Sequence, residues 1–220
     1  MKKIFVLLLC LLAVFAIISC KNEPKQEGDT TPKPTDEDIL SGKAYYRLTA
    51  TMQAKRFSFL YAGGADEINP KAGDVITLKY RSEHPVTYLY LRNEDTSVAF
   101  LNKYEILESD DPYVSAADAD GWFTLTFTYP EAPSSGTYDD TDGTVSGFLL
   151  EIANYDQKFQ VDDYLEIKDF AFNGEKLLVE GPETVKDATG YQSDHGVWNR
   201  GNGDQTEPVL ERVFIDSEKK

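Results

Sequence analysis

From Gly121 to Tyr129 the chain reads Gly-Trp-Phe-Thr-Leu-Thr-Phe-Thr-Tyr, a strict alternation after the first aromatic residue. A period of two sends successive side chains to opposite faces of an extended backbone, so this segment suits a half-buried strand and not a helix. Short runs of Tyr, Phe, Thr, Val and Leu with the same period recur after Lys43, broken by Gly, Pro, Asn and Asp. They predict strands near Ala44–Thr51, Arg56–Tyr61, Asp74–Ser82, Val86–Arg92, Ser97–Leu101, Trp122–Tyr129, Ser146–Asn154, Tyr164–Phe172, Lys176–Val179 and Val209–Ile215. No window of useful length carries a helical period. Many short antiparallel strands at this spacing predict an all-β fold, a two-sheet antiparallel sandwich or a barrel.

The alternation also assigns faces. Ile76, Leu78 and Tyr80 are expected in the core, as are Leu89 and Leu91, the set Phe123, Leu125, Phe127 and Tyr129, and the set Phe148, Leu150 and Ile152. The outward set is then Lys79, Arg81, Tyr88, Tyr90, Arg92, Trp122, Thr124, Thr126 and Glu151. A register error of one residue would invert each assignment.

The N-terminus carries a different signal. Lys2 and Lys3 precede an uninterrupted apolar stretch, Ile4 to Ile18. That is shorter than the roughly 20 residues a spanning helix needs, and it fits a secretory signal. It ends in Ile17-Ile18-Ser19-Cys20, which resembles the lipobox of bacterial lipoproteins. The resemblance implies cleavage after Ser19 and a diacylglyceryl group on the Cys20 sulfur, so residues 1–19 are read as a signal peptide. Two or more acyl chains hold a protein firmly, because each buried methylene contributes roughly 0.8 kcal/mol. Residues 20–42 follow as a flexible, disordered linker, with Pro24, Pro32 and Pro34 among Thr, Lys, Glu and Asp. Fully extended, Lys21 to about Glu37 reaches on the order of 50 Å. Glu23, Glu27 and Asp29 resemble the acidic export tags of surface lipoproteins in Bacteroidetes-type bacteria. The expected location is the outer membrane, lipid-anchored, with a lean to the surface face. Residues 43–220 are read as one β-sandwich domain.

The formal net charge is −16, and two further positive charges leave with the signal. Such a body disfavours nucleic acid and docking on anionic lipid. It favours a neutral ligand, a cation or a basic partner. Cys10 and Cys20 are the two cysteines, so the mature body has no disulfide.

The outward set combines aromatic plates with charged hydrogen-bonding groups, a surface suited to sugars. Their C–H patches stack on aromatic rings, and their hydroxyls pair with Arg, Lys, Glu and Thr. The same tyrosines also serve as ordinary cross-strand pairs. The chain resembles the β-jelly-roll carbohydrate-binding modules, the galactose-binding-like group, over most of Lys43 to Val179. The resembling stretches are Ala72-Gly73-Asp74-Val75-Ile76-Thr77-Leu78-Lys79-Tyr80, Gly121-Trp122-Phe123-Thr124-Leu125-Thr126-Phe127 and Asp163-Tyr164-Leu165-Glu166-Ile167-Lys168-Asp169-Phe170. The resemblance implies a jelly roll that binds oligo- or polysaccharide, often with a structural calcium. Trp122, Tyr88 and Tyr90 are the expected stacking residues, and Arg81, Arg92 and Glu151 the expected hydroxyl partners. The segment from Glu180 to Lys220 departs from the family. It holds Trp198, which covers an edge or joins the site.

Asp139-Asp140-Thr141-Asp142-Gly143 clusters carboxylates before a turn glycine, and Asp139, Asp140 and Asp142 are the candidate calcium ligands. Solvated turn residues have the same composition. With His84 and His195 the sole histidines, a histidine-based metal site is not expected. No Gly-x-Ser-x-Gly, phosphate loop or dinucleotide fingerprint occurs. The sequence points to a lipid-anchored, non-catalytic carbohydrate-binding protein. Two other readings stay open, an envelope or adhesin lipoprotein with a protein partner and a paired-carboxylate glycosidase.

Overall fold

The computed structural model describes residues 32–61, 68, 70–93, 99–106, 111–134, 148–186 and 192–215. Cys20 and the residues expected to form a signal peptide, 1–19, lie outside the described residues.

The body begins with a single helical turn, α1 (Asp36–Leu40). Thr35 caps it: the Asp38 amide donates to Thr35 Oγ1, and the Asp38 carboxylate accepts from the Thr35 amide, a reciprocal capping box. Ile39 points into the core. The linker expected over 20–42 therefore ends earlier, because one apolar residue in a short capped turn is enough to fasten it to the sandwich.

The strands are β1 (Ala44–Thr49), β2 (Arg56–Tyr61), β3 (Val75–Ser82), β4 (Tyr88–Asn93), β5 (Ala99–Glu105), β6 (Phe123–Thr128), β7 (Phe148–Ala153), β8 (Tyr164–Phe172), β9 (Glu175–Lys176), β10 (Glu183–Lys186), β11 (Gln192–Arg200), β12 (Gln205–Thr206) and β13 (Val209–Phe214). Among the described residues they form two antiparallel sheets. The first has the order β13-β1-β8-β3-β6 with β9 on β8, and the second β10-β11-β2-β7-β4-β5 with β12 on β11. Over β1–β8 the chain crosses between sheets after β1, β2, β3, β5, β6 and β7, so these strands make a jelly roll of 1-8-3-6 against 2-7-4-5. Each sheet then gains a neighbour from the C-terminal segment, β13 beside β1 and β11 beside β2.

Alternation places the core between the sheets. Leu48, Ile76, Leu78, Leu125, Ile167 and Phe170 from the first sheet meet Phe57, Phe59, Leu89, Leu91, Leu150 and Ile152 from the second. The face assignments for β3, β4 and β7 hold, since every expected inward residue belongs to the core cluster between the sheets. β6 departs at one end: Leu125 and Phe127 are buried, whereas Phe123 stays 37 % exposed.

Candidate functional site

The second sheet carries an ordered outer wall. One lateral row runs Trp198, Ser58, Glu151, Tyr90 across β11, β2, β7 and β4. The next row runs Arg200, Arg56, Ala153, Tyr88. The row on the other side runs Gly196, Leu60, Leu149, Arg92. Apart from Arg92, which is placed by backbone register alone, these residues alternate with Phe57, Phe59, Leu89, Leu91, Leu150, Ile152 and Val197 of the core, so they face outward together.

The middle of the wall is closed and charged. Glu151 is buried, with its Oε1 2.8 Å from Arg56 Nε and accepting from Ser58 Oγ at 3.2 Å. A buried carboxylate needs such partners. Glu151 is thus committed to holding Arg56, which is partly exposed above it, and is not free for a ligand hydroxyl. Leu60 and Leu149 are buried too, so the open end of the wall is the end with Tyr88, Tyr90 and Arg56.

Tyr155, just after β7, completes that end. Its ring meets Tyr88 edge-on at 5.1 Å, and Lys55 Nζ lies 5.9 Å over it. Burial, and then the nearby Glu151 charge, push its phenol pKa up, so it stays a hydroxyl donor at neutral pH. Tyr88, Tyr90, Tyr155 and Trp198 are all half-buried. The Trp198 indole N–H is buried without a hydrogen-bond partner among the described residues.

Trp122 and Arg81 belong elsewhere, which corrects the single outward set. They lie on the outside of the first sheet and not beside Tyr88 and Tyr90. Trp122 is only 3 % exposed. Arg81 and Lys168 sit over its ring at 4.6 and 4.1 Å, and Tyr45 meets its edge at 5.5 Å. Glu166, 1 % exposed, accepts from Arg47 at 2.7 Å and also from Arg81. Asp118 Oδ1 accepts from the Trp122 amide at 3.0 Å and fixes the turn that delivers the ring. Trp122 is covered by cations and cannot stack on a sugar in this arrangement. Arg92 lies on the wall by backbone register. Asp139, Asp140 and Asp142 lie outside the described residues.

Sequence reasoning missed Arg56, Ser58 and Tyr155. The first two were legible, since Arg56-Phe57-Ser58-Phe59 alternates cleanly. Tyr155 was not, because it follows the strand in a turn.

Two other features stand apart from the wall. A cleft of about 380 Å³ opens between the sheets at one end, lined by Tyr80, Phe123, Val86, Thr87, Ile106 and Val114. It accounts for the exposure of Phe123, whose ring stacks on Tyr80 at 5.5 Å. Separately, Glu180, Glu183 and His195 bring one donor atom each to within 4.8 Å of one another. The small number of histidines gave no hint of this cluster, because both carboxylates are brought to His195 by chain pairing.

The geometry defines the class as an antiparallel jelly-roll sandwich with an aromatic wall on one sheet. No protein-family model, curated protein or solved structure matches the chain. No helix among the described residues is long and apolar enough to cross a membrane.

Proposed function

We propose that the chain is a carbohydrate-binding protein of the cell envelope, held to the outer membrane by lipid on Cys20 and acting without catalysis. The observation that carries the reading is the wall of the second sheet, where Tyr88, Tyr90 and Tyr155 cluster beside Arg56 and Trp198 lies further along. Rings of this kind offer stacking area at little entropic cost, and Arg56 offers a fixed fork of donors for hydroxyls. A net charge of −16 suits a neutral glycan better than a polyanion.

A glycan array probed with residues 21–220 tests the binding. Signal on one glycan class that falls at least tenfold in Tyr90→Ala and Tyr88→Ala, with the circular dichroism spectrum unchanged, supports it. An array silent at high protein concentration overturns it. Release of the full-length protein from membranes by Cys20→Ser tests the anchor independently.

One observation favours a protein partner as the second reading. β13 is an edge strand, and Val209, Phe214 and Ile215 leave large apolar side chains exposed along it, with Leu40 also exposed. Open edges of this kind accept a strand from another chain. Loss of partner capture on Phe214→Lys, with glycan binding intact, would assign that role to the edge.

A further inference from the structure

β10 pairs with β11 so that Glu183 stands directly opposite His195. Just before β10 the chain also grips β11, because the Val197 amide donates to the Glu180 carbonyl at 3.0 Å. Gly196 makes this approach feasible. Its φ is +86°, and a Cβ there would lie 2.2 Å from the Gly181 carbonyl oxygen. The close passage sets Glu180 beside the imidazole, with His195 Nε2 3.3 Å from Glu180 Oε2. Three potential ligands from two segments thus converge.

We infer that Glu180, Glu183 and His195 form a site for one divalent transition-metal ion, of which zinc is the best fit. A tetrahedral zinc ion with ligands at about 2.0–2.1 Å has neighbouring ligands about 3.4 Å apart. The His195–Glu180 separation matches that edge. The two glutamates are exposed, so rotation about their side-chain bonds brings Glu183 into place. The imidazole nitrogen sets the metal class. Calcium and magnesium prefer shells made entirely of oxygen, whereas mixed imidazole and carboxylate ligation suits zinc and its neighbours. Two carboxylates balance the double charge of the ion, and water completes the shell. The ion would tie β10 and the segment before it to β11, the strand that carries Trp198. This site is independent of the glycan reading.

The test uses untagged, chelator-treated residues 21–220, titrated with zinc chloride by calorimetry. The expected result is one ion per chain at this site, with affinity reduced at least tenfold in both His195→Ala and Glu183→Gln. The melting temperature of the parent should rise on adding zinc, and that rise should vanish in the variants. Cobalt(II) gives an independent reading, a visible absorption band in the parent that is absent from the His195 variant. If His195→Ala misfolds by circular dichroism, His195→Gln replaces it. No zinc binding, or affinity unchanged in both variants, means that Glu180 and His195 are neighbours that hold no metal and overturns the inference. Binding that survives loss of His195 but disappears in Asp139→Asn/Asp142→Asn overturns it as well. Displacement of zinc by equimolar calcium removes the assignment to a transition metal.

Discussion

Tyr90 and Trp198 occupy the two ends of one lateral row, with Ser58 and Glu151 between them. Three strand steps of about 4.8 Å separate their backbones by about 14 Å. A disaccharide cannot bridge both rings, whereas a longer oligosaccharide can. On the proposed glycan-binding role, affinity should therefore grow with chain length until both rings are engaged. Trp198→Ala should abolish the gain with length and leave the affinity for the shortest ligand unchanged. Tyr90→Ala should weaken every length. Calorimetry over an oligosaccharide series separates the two effects.

The Arg56–Glu151 pair sits under this surface. Arg56→Met removes the cationic partner of a buried carboxylate that also accepts from Ser58. The expected cost is about 1–3 kcal/mol, below that of a fully buried pair because Arg56 is partly solvated. The double variant Arg56→Met/Glu151→Gln should recover most of it, as the uncompensated charge is gone. Urea denaturation of the four proteins in the cycle measures this.

On the other sheet, Arg81 both pairs with Glu166 and covers the Trp122 ring. Arg81→Ala should destabilise by about 1–3 kcal/mol. It should also admit water to the indole, shifting Trp122 emission to the red. A Trp198→Phe background isolates that signal. An unshifted spectrum would show that Lys168 and Tyr45 shield the ring unaided.

Alkaline pH should loosen the fold. Burial raises the phenol pKa of Tyr80 well above its ordinary value of 10.0, and burial also raises those of Tyr45, Tyr46 and Tyr155. In the unfolded chain these phenols ionise near about pH 10, while the folded chain keeps their protons. Their contribution to stability is whole below that pH and is lost as pH climbs through the raised folded values. Lys168 acts in the opposite sense. Burial, and then Lys79, lower its pKa, so the penalty on its charged form fades as pH rises. Four phenols outweigh one ammonium. Melting temperature should fall as pH rises above about 10, and Tyr80→Phe should flatten the decline.

Gly196→Ala should cost at least about 2 kcal/mol, since alanine resists the left-handed backbone and its methyl would overlap the Gly181 carbonyl. Chemical denaturation gives the magnitude. A neutral result would mean that Gly181 and β11 can separate without loss.

Where apolar and polar residues alternated, the sequence was legible. Arg56–Tyr61 and Tyr164–Phe172 are strands over the expected bounds, and the core faces of β3, β4 and β7 follow from period two alone. β11 was missed because Gln192-Ser193-Asp194-His195-Gly196 is polar and holds a glycine; pairing with β2 and β10 makes it a strand where local propensity does not. The candidate site was legible by strand and not by sheet. Alternation puts Tyr90 and Trp122 both outward, but it carries no information on which sheet each joins. That depends on crossovers linking residues far apart in sequence. Trp122 shows a second limit, as an outward residue can still be buried when long cationic neighbours fold over it.

The contact of Ala44 with Phe214 joins the first strand of the body to the last. Half of the hydrogen-bonding edge of β1 is unsatisfied until β13 emerges, and pairings this distant close slowly. A chain of this topology therefore leaves one flank of its first strand open until β13, far along the sequence, is available to cover it.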